Sequence, residues 1–160
     1  MAKKATKPVP QGYHTLTPQL TLDRAAETIE WYKKAFGAEE IGRSVGPDGK
    51  IMHAELKIGD SRFMVNDVMP GYKGPQGFGG SPAALWLYVD DCDALFNRAV
   101  QAGGTVQMAM ADQFWGDRGG CLRDPEGYTW WVATNKEELT LDEINQRAQE
   151  FFKQMAGAPR

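Results

Sequence analysis

The feature that most constrains the fold of this chain is an internal repeat of secondary-structure signals. The first copy begins with the alternating segment 15–20, continues with a helical pattern that ends at Gly37, and closes with three strand-like segments up to Val68. The second copy repeats this order between Ala84 and Thr134. Because the helix starts and helix stops of the two copies are offset by nearly the same number of residues, the pattern indicates a duplicated βαβββ unit.

The ends of the predicted strands and helices follow from three signals: alternation of polar and apolar residues, turn residues, and helix-capping residues. The strands are predicted at 15–20, 39–45, 51–58 and 62–68 in the first copy and at 84–89, 105–111, 119–123 and 128–134 in the second. Asp23 is the predicted N-cap of the first helix, because an Asp side chain accepts hydrogen bonds from unpaired helical N–H groups. Asp90 or Asp91 has the same role for the second helix, which ends at Gly103 and Gly104.

A third helix is predicted from about Leu141 to Met155. Its apolar residues lie on one face, which indicates that the face packs against the body of the protein or against a partner. These residues are Ile144, Ala148, Phe151 and Phe152. The predicted organisation is a flexible N-terminal tail (1–12), a first βαβββ module (13–68), a linker (69–82), a second module (83–135), and a C-terminal helix and tail (136–160).

Composition narrows the class of protein. A net charge of −3 argues against a nucleic-acid-binding groove. The sequence has no apolar stretch long enough for a membrane span and no apolar N-terminal signal, so no membrane association is expected. Two cysteines, Cys92 and Cys121, are too few for a disulfide framework, and a cytoplasmic location is predicted.

Several local motifs resemble the vicinal oxygen chelate superfamily, which includes glyoxalase I, bleomycin resistance proteins and extradiol dioxygenases. The segments 29–39 and 53–56 are similar to its PhnB-like branch, and so are 112–118 and 124–127 followed by Trp130. The resemblance implies an α+β fold in which tandem βαβββ modules form a cup-shaped eight-stranded sheet, with helices outside and a C-terminal helix. It also implies a homodimer.

Metal-dependent members of that superfamily carry their ligands on the first and fourth strands of each module. In this chain the predicted first, fifth and eighth strands contain no His, Asp, Glu or Cys, although His14 precedes the first. The fourth strand offers only Asn66 and Asp67. A transition-metal site needs about three protein ligands, so we predict neither a metal nor a cofactor.

The predicted cup is lined by aromatic rings and a few polar groups, because alternate residues of a strand share a face. The predicted ligand-binding residues are Thr17, Gln19, His53, Glu55, Asn66, Trp86, Tyr88, Phe114, Trp115 and Trp131. An alternative is that Trp86, Tyr88 and Trp131 fill the interior. Outside this set, Met108 and Met110 are interpreted as core residues, and Asp117 and Arg118 as a structural pair or as surface charges.

Three functions remain open at this point. The first is a metal-free small-molecule-binding protein of the bleomycin resistance type, with an apolar or aromatic ligand. The second is a lyase, isomerase or dioxygenase of the superfamily, which would use a poorly marked metal or His53 and Glu55 as an acid–base pair. A structural or regulatory dimer with an empty cup is a third reading. The sequence therefore leaves the question of catalysis undecided.

Overall fold

The structure is a computed structural model that describes residues 3–157, and it divides into two compact units. The first unit extends to Ser81 and includes Pro125–Gly127, whereas the second comprises Pro82–Asp124 and the chain from Tyr128 onward. The sequence assigned residues 125–127 to the second module, but they cluster with the first. Residues 1–2 of the predicted tail and 158–160 of the C-terminal segment lie outside the described residues.

The described residues form eight strands and three α-helices, which confirms the predicted α+β class. The first unit contains β1 (Gln19–Leu22), α1 (Ala25–Phe36), β2 (Glu39–Val45), β3 (Ile51–Ile58) and β4 (Ser61–Asp67), followed by a short 3-10 helix (Pro75–Phe78). The second contains β5 (Ala84–Tyr88), α2 (Cys92–Gln101), β6 (Thr105–Asp112), β7 (Asp117–Arg123), β8 (Thr129–Asn135) and α3 (Leu141–Gly157).

Each unit has one four-stranded sheet, and the two sheets have the same topology. The strand orders are β1-β4-β3-β2 and β5-β8-β7-β6. In each sheet the first pair is parallel and the other two pairs are antiparallel. The shared topology supports the internal duplication inferred from the sequence.

One face of each sheet forms a hydrophobic core with a helix. In the first unit α1 contacts all four strands, and in the second α2 contacts β6, β7 and β8. Buried residues of the first core include Leu22, Ile29, Tyr32, Leu56 and Val65. Buried residues of the second include Phe96, Leu122, Trp130 and Val132. Because successive residues of a strand point to opposite faces, the residues between these buried ones lie on the face of each sheet away from the helix.

The first strand begins four residues later than predicted. Segment 15–20 alternates, but β1 spans Gln19–Leu22, and Leu16, which precedes the strand, is 87% exposed. The Thr17 hydroxyl donates to the His14 carbonyl in a turn, and pairing with β4 begins at Gln19, opposite Met64. The alternation was in the correct phase, since Leu20 is buried, but the position of the partner strand decides where the strand starts.

The N-terminus of α1 is capped by distant side chains and not by Asp23. Arg24 occupies the N-cap position without a side-chain cap, and the Asp67 carboxylate accepts the N–H of Ala25 at 2.8 Å. The fully buried Glu126 accepts the N–H groups of Asp23 at 2.8 Å and Arg24 at 3.2 Å. It also accepts the hydroxyl of Thr28 at 3.1 Å. The prediction for Asp23 was wrong because carboxylates remote in sequence take that role.

The second helix has the local cap that the sequence indicated. Asp91, one of the two predicted candidates, accepts the N–H of Ala94 at 2.9 Å. The neighbouring strand β6 departs from the prediction. Val106 and Met108 are exposed, and a register shift between them places Val106 opposite Leu122 and Met108 opposite Cys121. A bulge therefore breaks the common core face that alternation predicted.

Glu40 links β2 to α1 and makes stability sensitive to acid. Its carboxylate accepts hydrogen bonds from Arg43 and lies 2.8 Å from the Lys33 ammonium. The hydrogen bonds from Arg43, together with Lys33, hold the pKa of Glu40 at about 2, below the ordinary 4.5. A lowered pKa contributes stability above pH 4.5 that is lost as the pH falls through about 2.

We therefore expect Glu40→Gln to lower the free energy of unfolding at neutral pH by roughly 1–2 kcal/mol, a value reduced for solvent screening. The difference between the two proteins should be mostly lost at a pH of about 2, where half of the Glu40 carboxylate is protonated in the folded state. Urea denaturation at the two pH values measures this. A difference that persists unchanged in acid would show that the ion pairs are not its source.

Candidate ligand-binding site

Two indole rings stack on the face of the second sheet that α2 does not cover. The parallel pairing of β5 with β8 puts Trp86 directly opposite Trp131, and their ring centroids lie 4.6 Å apart with an interplanar angle of 5°. Trp130 and Val132, the neighbours of Trp131 in β8, are buried on the helix side. Trp131 therefore points to the opposite side, as predicted.

Two further rings complete this surface, which we call the ring face (Trp86, Tyr88, Trp115 and Trp131). Trp115 comes from the loop between β6 and β7 and lies edge-on to both stacked indoles, at 6.3 Å from Trp86 and 6.1 Å from Trp131. Tyr88 lies 6.1 Å from Trp86. Trp86 is 41% exposed and Tyr88 63% exposed. The alternative that these two rings fill the interior is therefore wrong.

Phe114 extends the ring face toward α3. Its ring lies 5.0 Å from Trp115 in an edge-on arrangement, and also contacts Phe151 at 5.4 Å and Phe152 at 6.3 Å. All five aromatic residues predicted for the ligand site thus lie in one connected group within the second unit. The two Phe residues of α3 join this group, which places the C-terminal helix beside the candidate site.

The buried carboxylate of Asp117 orients two rings of the face. Asp117 is 2% exposed, and its Oδ2 accepts the hydroxyl of Tyr88 and the indole N–H of Trp115, both at 2.9 Å. Its Oδ1 accepts the amide of Asn135 at 3.0 Å. Burial, followed by the hydrogen bond to Asp117, raises the pKa of Tyr88 above its ordinary value of 10.0. Tyr88 therefore stays a neutral hydrogen-bond donor at neutral pH.

The sequence did not identify Asp117 as a site residue. It was interpreted as a possible partner of Arg118, but adjacent residues of β7 face opposite sides of the sheet. Arg118 instead forms a two-pronged ion pair with Asp93 of α2, at 2.7 and 2.8 Å, and contacts Asp112 at 3.2 Å. The nearest sequence signal was the spacing of Trp115 and Asp117, which alone does not establish a contact.

The other five predicted ligand residues are all polar and lie in the first unit. Gln19 donates to the side-chain oxygen of Asn66 at 2.9 Å, and the His53 imidazole lies 3.6 Å from the Glu55 carboxylate. Glu55 also lies 3.5 Å from Arg62, which is not among the predicted ligand residues. Thr17 bonds only to the turn before β1 among the contacts described. The structure thus brings Gln19 close to Asn66 and His53 close to Glu55, whereas Thr17 is not part of either pair.

The side chains of the described residues do not fit the metal centre that the resemblance implies. Within residues 3–157, no three His, Cys, Asp or Glu side chains lie close enough to hold a metal ion. Asp67, a candidate on the fourth strand, accepts the N–H groups of Ala25 and Ile51 instead. Separately, no helix in the described range is long and apolar enough to cross a membrane.

A tandem pair of βαβββ units, each with a helix against one face of its sheet, defines the glyoxalase-type class of α+β proteins. The chain belongs to the Glyoxalase/Bleomycin resistance protein/Dioxygenase superfamily, whose family model matches residues 14–132. It is 46% identical over 134 residues to an uncharacterised protein of Mycobacterium bovis, which covers 81% of this chain and 88% of that protein.

Solved structures have the same fold. TioX from Micromonospora sp. ML1 superposes with a TM-score of 0.61 at 25% identity, covering 79% of this chain and 100% of that one. The PhnB protein of Bacillus cereus superposes with a TM-score of 0.60 over 76% of this chain and 99% of that chain. At 17% identity, the second likeness concerns the fold alone and agrees with the PhnB-like resemblance.

Proposed function

We propose that this protein binds a small organic molecule with an apolar or aromatic surface on the ring face of the second unit. The observation that carries this proposal is the stacked pair Trp86 and Trp131, which stays partly exposed while Trp115 stands edge-on beside it. Large aromatic side chains exposed together mark binding surfaces in folded proteins. The flat indole pair suits a planar ligand.

The energetics agree with a binding role. Each aromatic pair formed with a ligand contributes about 0.5–1.5 kcal/mol beyond the burial of its area. Tyr88 and Trp115 are already fixed by Asp117, so little conformational entropy is lost when a ligand arrives. A preformed set of rings therefore provides affinity without a large rearrangement.

An enzymatic function is the second candidate, and one observation favours it. His53 Nε2 lies 3.6 Å from Glu55 Oε1, within ion-pair distance but longer than a hydrogen bond. In such a pair His53 would accept a proton from a bound molecule while Glu55 stabilises the imidazolium. Glu55 is shared with Arg62, however, and the described contacts give the pair no nucleophile. Binding is therefore the function that the geometry supports best.

The proposal is tested by titrating the protein with a library of aromatic compounds while its tryptophan fluorescence is recorded. Saturable quenching is expected, since three of the five tryptophans lie in the ring face. Native mass spectrometry of protein purified without chelators is expected to show a bound organic molecule. No saturable change with any compound and no bound molecule would contradict the binding function.

We also propose that the protein forms a homodimer through α3. Over Leu141–Gly157 the helix has no buried residue, and Leu141, Phe152 and Met155 are exposed. The helix starts with the acidic Asp142 and Glu143 and carries Lys153 near its end, so antiparallel pairing of two copies brings opposite charges together.

Replacing Met155 by Glu is expected to shift a dimer to a monomer in sedimentation at micromolar concentration, because it places a charge in the apolar stripe. Gln154→Glu adds the same charge at a neighbouring exposed position of the helix and should leave the dimer intact. A monomeric parent protein, or an equal effect of the two changes, would contradict pairing through this face.

We also propose that the protein is located in the cytoplasm. Cys92 and Cys121 are both free and buried in the structure. Free thiols are typical of reducing compartments, which supports this location.

A further inference from the structure

We infer that the ring face selects organic cations over neutral molecules of the same shape. This inference rests on the proposed binding function and specifies the chemical class of the ligand. The observation behind it is the juxtaposition of three indoles and a phenol with a buried carboxylate, that of Asp117, which has no positively charged partner.

The carboxylate of Asp117 is buried, and the hydrogen-bond donors that reach it are all neutral groups. Its oxygens accept hydrogen bonds from Tyr88, Trp115 and Asn135, and no Lys, Arg or His nitrogen within residues 3–157 lies within 4.0 Å of them. Buried carboxylates usually pair with a cation, because burial weakens their hydration. The adjacent Arg118 is engaged by Asp93 and Asp112. Within residues 3–157, no cationic side chain therefore lies against the carboxylate of Asp117 beside the rings.

The faces of the rings present negative electrostatic potential to a ligand. The faces of aromatic rings carry negative potential and attract cations, most strongly for Trp. The hydrogen bonds from the Tyr88 hydroxyl and the Trp115 indole to a carboxylate polarise these two rings in the same sense. Because the site is partly desolvated, the carboxylate and the rings act together on a cation placed over Trp86 and Trp115.

The position of the cation on the face is also defined. Arg123, at the other end of β7, has the same strand parity as Asp117 and lies about 20 Å from it by strand rise. A cationic group is therefore expected at the end of the face near Tyr88 and Trp115, and a neutral or anionic part of the ligand toward Arg123. The ligand class is a heteroaromatic cation or an aryl-substituted quaternary ammonium.

The experiment compares two probes of the same shape by calorimetry, N-methylquinolinium and 1-methylnaphthalene, which differ by a positive charge. The parent protein is expected to bind the cation about tenfold more tightly. Equal affinities would overturn the selection of cations and leave the binding function intact. Binding of neither probe, together with an unresponsive aromatic library, would overturn the binding function itself.

Variants separate the charge of Asp117 from its structural role. Asp117→Asn is expected to remove most of the preference for the cation while changing the affinity for 1-methylnaphthalene by less than about twofold. Tyr88→Phe keeps the ring without its hydroxyl, and should reduce the preference even if Asp117→Asn does not fold. Glu138→Gln removes an exposed carboxylate as a control and should change neither affinity. Equal weakening of both probes by Asp117→Asn and Tyr88→Phe would show a structural role alone and overturn the inference.

Discussion

Glu126→Ala is expected to lower the free energy of unfolding by about 3–5 kcal/mol, because it removes a buried carboxylate that satisfies three donors. The N–H groups of Asp23 and Arg24 and the hydroxyl of Thr28 all point to this side chain, which is fully buried. Each of these donors would lose its partner, and the hydroxyl of Thr28, which is buried, would not regain a bond to water. The substitution also leaves a cavity where the side chain was.

Urea denaturation followed by circular dichroism measures this effect, and two further variants interpret it. Glu126→Gln keeps the shape and one acceptor oxygen, so an intermediate loss is expected. Glu138→Ala removes an exposed carboxylate and should leave stability unchanged. If Glu126→Ala were no more destabilising than Glu138→Ala, the carboxylate of Glu126 would not stabilise the N-terminus of α1.

The repeat of strand, helix and three strands could be predicted because its signals are local. The two ends of β3, Ile51–Ile58, match the prediction, since turns at 46–49 and 59–60 bound an alternating segment. The start of β1 could not be predicted in the same way. Alternation extends from residue 15 onward, and only the pairing of Gln19 with Met64 limits the strand. Elements that depend on a distant partner are therefore placed less accurately than elements that end in turns.

The rings of the candidate site were predictable for the same reason, and the carboxylates were not. Strand parity alone puts Trp86 and Trp131 on the face away from the helix. Glu126, in contrast, has a role that arises from contacts between a turn and the start of α1, and Asp117 has one that arises from side-chain contacts with β5, β8 and the loop residue Trp115. Glu126 lies about one hundred positions from Asp23 in sequence, yet accepts its N–H. No local pattern contains such a contact, so the sequence offers no signal for the role of Glu126.

Trp131→Ala is expected to weaken the binding of an aromatic ligand by at least about tenfold, which corresponds to about 1.4 kcal/mol. Trp131 is the half-buried member of the stacked pair, and it also contacts Trp115. Its removal takes away one contact surface and leaves Trp86 without the ring that fixes its orientation. The loss should therefore exceed the value of a single ligand contact.

Calorimetric titration of the best ligand from the fluorescence library measures this loss. Tyr72→Ala removes an exposed aromatic ring of the first unit, outside the ring face, and should leave the affinity unchanged. Trp86→Ala and the double variant complete a mutant cycle. The losses of binding free energy in the two single variants should add up to more than the loss in the double variant, because either change disrupts the same stack. Equal effects of Trp131→Ala and Tyr72→Ala would place the ligand elsewhere, and the exposed indoles would then need another partner.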